Sequence, residues 1–372
     1  MDMKIHPEFS FIAGKGIWII FLIAGYAGPV RAVEDNSFVK AELLAASDIL
    51  LYNFSIQHLQ SLESERNIRV EANAGRIKID YQPPEGFLIG QVEEVVESSL
   101  GGNVQYATPL GNRTRIRLST GYFNGFTSHR SLWIDTYYKQ LFTGFDTYEE
   151  SDPWSAFSEM RVQYEFLPAT GILSVAGSYQ YEETPTYWDV DLTGTLNKEE
   201  TIARTWSLNG SAELLATPRT RVRARVWLRE RTGRSTRSSF TTEALHALGD
   251  TLFLKALYGH TREGADLRAN WGYLHLEKEL SERHSLRLYA SRYRDNGEIE
   301  DTSPSVQLTA PPASTWETGI GYRYQSGRSL RLSFTLGYFQ TRYGNASGNV
   351  LSSALYAERE WLSAGCSIQF LH

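Results

Sequence analysis

Cysteine is almost absent: Cys366 is the only one in 372 residues. No internal disulfide can form, which excludes a Cys-stapled secreted scaffold and any Cys-x-x-Cys haem or redox site. Methionine falls to 3 residues. Beyond the N-terminus there is no run of about 20 apolar residues, the length a membrane-crossing helix requires, so a helical membrane bundle is excluded. Charge of one sign is lacking as well. The 43 acidic and 37 basic residues leave a net −6, with no basic excess to mark a nucleic-acid partner. No Gly-x-Ser-x-Gly elbow occurs. His58, His246, His260, His275 and His284 are scattered without metal-ligand spacing. Neither a catalytic constellation nor a cofactor is indicated, and the chain reads as a non-enzyme.

What the chain has in quantity is aromatic residues, 13% of the total with 21 Tyr and 9 Trp, at a mean hydropathy of only −0.35. A strand-built membrane protein combines these properties, because its apolar half is hidden in alternation and never forms a long run. The N-terminus reads as an address. Lys4 and Lys15 precede the apolar stretch Gly16-Ile-Trp-Ile-Ile-Phe-Leu-Ile-Ala-Gly25, and small residues lead to Val30-Arg31-Ala32. That pattern predicts a signal peptide over 1–32, cleaved after Ala32, against the rival reading of an uncleaved anchor.

From about residue 99 one unit recurs: an alternating stretch, a tight polar turn, another alternating stretch, then a longer polar loop. Turns fall at Thr108-Pro-Leu-Gly-Asn112, Leu167-Pro-Ala-Thr-Gly171, Thr217-Pro-Arg-Thr220, Leu248-Gly-Asp250, Ser281-Glu-Arg-His284 and Gln325-Ser-Gly-Arg328. Gly, Pro, Asn and Asp supply the backbone angles such hairpins need. After Thr220, Val222, Ala224, Val226 and Leu228 alternate with Arg221, Arg223, Arg225, Trp227 and Arg229. Aromatics gather near strand ends, as interfacial girdles do: Tyr122 and Phe123, Tyr179 and Tyr181, Trp316, Tyr338 and Phe339. The prediction is an all-β, transmembrane, antiparallel up-and-down barrel over 49–370, preceded by a short periplasmic segment over 33–48 that is either helical or irregular.

The final stretch, Leu362-Ser-Ala-Gly-Cys-Ser-Ile-Gln-Phe370, resembles the closing strand of Gram-negative outer-membrane barrels. That resemblance implies an outer-membrane location, lipid as the surrounding partner, and an aromatic strand end read by the barrel assembly machinery. The family's aromatic usually ends the chain, whereas Leu371 and His372 follow here.

Counting back from Phe370 gives strands near 351–370, 328–342, 314–325, 284–296, 269–280, 251–262, 239–247, 219–231, 203–216, 171–182, 156–166, 113–126 and 99–107. Asn67–Asn73 and Arg76–Tyr81 also alternate well, and Leu50–His58 less so. An even total is required, so the central expectation is about 14 strands within a range of roughly 12–18. Residues 131–142 alternate too, yet a lone strand there would invert everything before it; they read as an extracellular hairpin within 127–155 or as one of a further pair.

With the apolar faces toward lipid, the opposite faces line a lumen. Strands leaving the short turns place Arg115, Arg117, Arg221, Arg223, Arg225, Arg229, Lys255, Arg287 and Arg331 inside, and strands entering them place Glu165, Glu213, Glu277, Glu279 and Glu317 there. Glu213 is expected roughly opposite Arg223 and Glu279 opposite Arg287, as stabilising cross-strand pairs. A charged constriction selecting solutes and plain charge pairing along a watery wall explain this lining equally well. The leading expectation is a pore for small solutes, anions favoured. An export barrel for a surface polysaccharide and a closed scaffold barrel are the alternatives. The acidic loop Asp295-Asn-Gly-Glu-Ile-Glu-Asp301 fits no Ca²⁺-loop template. His129-Arg-Ser131 resembles the His-x-Ser of a lipid A deacylase family, but lies in the least regular part of the chain.

Overall fold

The computed structural model describes residues 37–371, apart from 47–48, 63–64, 81–93, 126–128, 143, 146–147, 149–152, 184–186, 192, 200–201, 265–266, 300–308, 311, 328 and 345–357. The expected signal peptide lies outside the described residues. The first strands are β1 (Phe38–Ala45), β2 (Ile49–Ser61), β3 (Asn67–Asp80), β4 (Glu94–Pro109) and β5 (Thr114–Asn124). A helix, α1 (His129–Phe142), precedes β6 (Trp154–Leu167) and β7 (Gly171–Glu183). A small hairpin, β8 (Tyr187–Val190) and β9 (Leu196–Glu199), leads to β10 (Ile202–Thr217), β11 (Thr220–Arg231), β12 (Arg237–Ala247) and β13 (Leu252–Glu263). Next come β14 (Leu267–Ser281), β15 (His284–Asp295), a second small hairpin of β16 (Glu298–Ile299) and β17 (Thr309–Ala310), β18 (Ala313–Ser326), β19 (Leu330–Tyr343) and β20 (Arg359–Leu371).

Apart from the two small hairpins, these strands form one closed barrel of 16, every neighbouring pair antiparallel. That is two more than the central expectation and inside the range of roughly 12–18. Closure is made by β1 against β20, from Phe38↔Leu371 to Ala45↔Ala364. This corrects the expectation for 33–48: its described part is not a periplasmic appendage but the strand that covers the otherwise open edges of β2 and β20. Adjacent Leu43 and Leu44 interrupt the alternation there and hide the strand from a period-two reading.

Residues 131–142 are also corrected: they belong to α1, not to a hairpin or a strand pair. Apolar residues occupy both parities of 132–139, so as a strand neither face suits lipid or water alone. On a helix, Tyr138 and Phe142 are four apart and meet. Their rings stack at 5.8 Å, and the two residues are 2% and 7% exposed.

The barrel has unlike ends. Residues 110–113, 168–170, 218–219, 248–251 and 282–283, with Gly327 and Ser329, make tight turns at one end, where β1 begins and β20 finishes. The longest connections, including 125–153 and 184–201, all lie at the other, the loop end. Three of the turns carry the same irregularity, a register shift between Glu165 and Leu167, Leu215 and Thr217, and Glu279 and Ser281. In the first, Ala169 takes φ 58° and its amide donates to the Glu165 carboxylate.

Outside and inside are reversed relative to a water-soluble protein. Large apolar side chains are exposed on one parity of every long strand, among them Val226, Leu288, Phe334, Leu336 and Leu362. The opposite parity buries Ser55, Gln57, Thr205, Thr261, Ser285 and Thr341. A continuous exposed apolar surface with polar groups behind it is what a lipid-embedded wall requires. Toward the loop end that surface carries paired aromatics on β5 to β10: Tyr122 stacked on Trp154 at 6.1 Å, Trp154 stacked on Tyr181 at 5.0 Å, and Tyr179 tilted against Trp206 at 4.4 Å.

Candidate pore lining

The alternation places every charged residue singled out from sequence on the inner parity of its strand. Two strand pairs show how the ladder arranges them. Glu213 and Arg223 are register partners and form an ion pair, with Arg221 Nη1 3.3 Å from the same carboxylate. Arg223 is also the register partner of Glu243, whose carboxylate lies 2.9 Å from Lys255 Nζ. A ladder of alternating charge therefore crosses four strands, β10 to β13. Glu279, by contrast, does not face Arg287. The register shift next to it sets Glu279 opposite Ser285 and brings Glu277 opposite Arg287. Glu277 pairs instead with Arg323, accepts the Ser285 hydroxyl at 2.9 Å, and has His275 Nε2 at 3.5 Å.

The remaining charges divide into tied and open groups. Glu317 accepts the Ser291 hydroxyl at 3.2 Å, Glu165 caps its own turn, and Arg331 reaches Gln325 at 3.5 Å. Arg229 lies over Trp227 at 5.2 Å and Arg287 over Tyr289 at 5.7 Å, both cation–π geometries. Arg225 has no ion-pair partner among the described residues. Arg117 faces Arg161 directly across β5 and β6, and Arg69 and Arg115 act on it electrostatically. The Nε atoms of Arg69, Arg117 and Arg161 are buried and make no hydrogen bond among the described residues. Arg161 is held by Glu159 at 3.0 Å, and Arg115 approaches Glu65 at 3.9 Å.

Sequence reading missed part of this wall: the Lys40–Glu42 pair at 2.5 Å on β1, Arg231 with Glu182 at 3.5 Å, and Glu263 with Arg237. Each lies at or near a strand end or in the overlooked strand, where alternation is too short to assign a face. It also missed a set of aromatics laid flat on glycine. Trp271 is the register partner of Gly259, and a Cβ on that glycine would fall 2.0–2.5 Å from the indole. Phe157 covers Gly121 likewise, and Tyr289 covers both Gly319 and Gly337. The signal was available as an aromatic and a glycine at matching heights in neighbouring strands.

A cavity of about 800 Å³ runs along the inner wall, bordered by Lys40, Glu42 and Asn73 and by Glu277, Arg287, Arg323 and Arg331. Near the loop end, α1 packs on β4. There Val95 and its register partner Ile79, both on the inner parity, are 1% and 5% exposed. The helix is thus seated on the inner wall. His129 and Ser131 fall in the first turn of α1 and not on a strand, where residues two apart would share a face. Among the described residues no group of His, Cys, Asp or Glu is arranged to hold a metal ion.

These features define an outer-membrane-type β-barrel, and the solved structures similar to the chain have that architecture. CdiB from Acinetobacter baumannii aligns with a TM-score of 0.55 at 10% identity over 92% of this chain, and CdiB from Escherichia coli gives the same three values. This chain spans 60% and 64% of their respective lengths. A bacterial polysaccharide outer membrane secretin aligns with a TM-score of 0.51 at 8% identity, over 92% of this chain and 100% of its own. At such identities the likeness is one of fold. No family model matches the chain, and no curated protein matches it in sequence.

Proposed function

We propose that the protein is an outer-membrane pore that passes small anionic solutes, with its loop end facing the exterior. The observation that carries this reading is the inner wall around Arg117. There Arg117 and Arg161 face each other as like charges, Arg69 adds a third, and their Nε donors are unsatisfied among the described residues. Like charges directly opposite on a ladder are destabilising, so the arrangement is favoured when an anion shares the donors. The Arg221, Arg223 and Arg225 column adds positive charge elsewhere on the wall. Sixteen strands enclose enough space for an aqueous channel, which eight strands do not. A local cluster of one sign on the wall then acts as the filter.

Reversal potentials across a planar bilayer under a KCl gradient test the proposal. Wild-type protein is expected to prefer chloride. The Arg117→Ala and Arg161→Ala double variant, like Arg221→Ala with Arg223→Ala, should move the reversal potential toward potassium. A cation-preferring pore unchanged by either pair would overturn it.

A second reading, export of an acidic polysaccharide, has its own observation. Trp271 and Phe157 lie against glycines of the inner wall, an arrangement suited to stacking on sugars. The polysaccharide secretin, moreover, matches this chain over its whole length. Block of single-channel current by an acidic oligosaccharide, relieved by Trp271→Ala, separates this reading from simple anion passage.

A further inference from the structure

At the loop ends of β3 and β4, outward charges neutralise one another. On β3, Lys78 lies 3.5 Å from Asp80 and 2.7 Å from Glu94. One sector is different. Arg262 on β13 and Arg268 on β14 are direct register partners, both exposed and both on the outward parity. Arg294 on β15 and Arg342 on β19 flank Ser314 of β18 in one register row, again exposed and outward. Arg292 lies one outward position below, its guanidinium 4.6 Å from the ring centre of Trp316.

Among the described residues, none of these five arginines has an acidic partner. The acids closest in sequence belong to the inner parity. Glu263 pairs with Arg237, and Asp295 accepts the Gly297 and Ala313 amides at 2.9 Å each. Glu360, the outward acid on β20, accepts Gln340 Nε2 at 2.5 Å. Arg262 spends one donor on the Gly264 carbonyl at 3.0 Å, leaving the rest of its fork open.

We infer that this sector binds the phosphate groups of an anionic glycolipid in the leaflet around the loop end. The inference rests on the outer-membrane reading above. Height selects a lipid over a soluble partner. Trp316 belongs to the outward aromatics that mark the membrane–water interface, and Arg292 sits level with it. Arg294 and Arg342 stand two residues higher, roughly 7 Å along the strand, where lipid phosphates lie. The Arg262–Arg268 contact costs stability unless an anion sits between the two guanidinium groups, and arginine forks match phosphate oxygens bidentately.

The full chain is inserted into phosphatidylcholine vesicles doped with bisphosphorylated lipid A, or with the same lipid stripped of phosphate. After extraction in mild detergent, retained lipid is counted by native mass spectrometry. The phosphorylated form should be retained on the order of tenfold better, the scale of one charge-assisted hydrogen bond. Arg268→Gln with Arg294→Gln should bring that ratio toward one, while Arg76→Gln on β3 leaves it unchanged. Millimolar inorganic phosphate should not displace the lipid; displacement would assign the sector to a solute anion and overturn the inference. If the double variant does not fold, Arg342→Gln at the sector's edge is read the same way with a smaller loss. Equal retention of the two lipids, or a folded variant with the wild-type ratio, overturns the inference and leaves the pore untouched. Failure to insert into any vesicle would instead overturn the outer-membrane reading, and this inference with it.

Discussion

Glu277 faces Arg287 across the β14–β15 ladder, yet its carboxylate is paired with Arg323 on the next strand round. Arg287 lies instead against Gly321 and over the Tyr289 ring. One acid thus holds one arginine and leaves its direct partner open to the cavity.

Glu277→Gln should therefore raise the positive charge of that cavity without dismantling it. The expected loss of stability is about 0.2–1 kcal/mol, the range for one cross-strand pair, and toward its low end because Arg323 is 43% exposed and screened. The reversal potential should move toward chloride. An unchanged potential in a folded variant would show that this stretch of wall does not touch the conducting path.

The flat aromatics predict a non-additive pair. Gly259→Val places carbon where the Trp271 indole lies, so ring or strand must move, at a cost of about 1–3 kcal/mol. In a Trp271→Ala background the same substitution should be nearly neutral. A double-mutant cycle by urea unfolding in detergent should give a coupling of about 1–3 kcal/mol. Additive losses would mean that the indole does not rest on the glycine.

Much of this architecture was legible in the residues themselves. From 99 onward the alternating stretches that border a tight turn are barrel strands, because lipid outside and water inside impose period two on a spanning strand. Asn67–Asn73 and Arg76–Asp80 proved to be one strand, β3, joined through Ala74 and Gly75, while Tyr81 lies outside the described residues. Two kinds of information were missing. β1 is short, carries two adjacent leucines, and is fixed by closure onto β20, a contact between positions more than three hundred residues apart. The partner of Glu277 depends on a register shift at a turn, and a single extra residue leaves no compositional trace. The inner faces of Arg115 to Arg331 could be assigned from parity. Which of them remain open could not, since that depends on neighbours two strands away.

The β8–β9 hairpin supplies a pH test outside the membrane. The Asp191 carboxylate accepts the Thr193 amide at 2.8 Å, the Thr193 hydroxyl at 2.6 Å and the Thr195 amide at 2.9 Å. Gly194 follows at φ 82°, a conformation that glycine adopts at little cost. These donors, the Thr193 hydroxyl first, hold the Asp191 carboxyl down at about 2, against an ordinary 3.8. Because the folded value is the lower one, the support is present above the ordinary value and disappears as pH falls through about 2. Pepsin should leave the hairpin intact at pH near 4 and nick it increasingly toward pH 2, whereas Asp191→Ala should be nicked at both. Cleavage independent of pH in the wild-type chain would mean that the turn is not organised by this carboxylate.

α1 is the described element that leaves the ladder and settles on the inner wall, and it is held there by packing. Tyr138 and Phe142 are its buried anchors, and truncating a buried aromatic to Ala costs about 3–5 kcal/mol. That cost should fall on the docking of α1, because the β5–β6 ladder closes without it. Tyr138→Ala with Phe142→Ala should leave heat-resistant barrel migration on gels unchanged and make the α1 amides exchange rapidly. If the seated helix narrows the loop-end mouth, deleting 129–142 should raise single-channel conductance, and the Tyr138/Phe142 variant should add flickering between the two levels. Wild-type conductance after the deletion would place the narrowest part of the pathway lower, at the charged wall around Arg117, so the same recording locates the constriction.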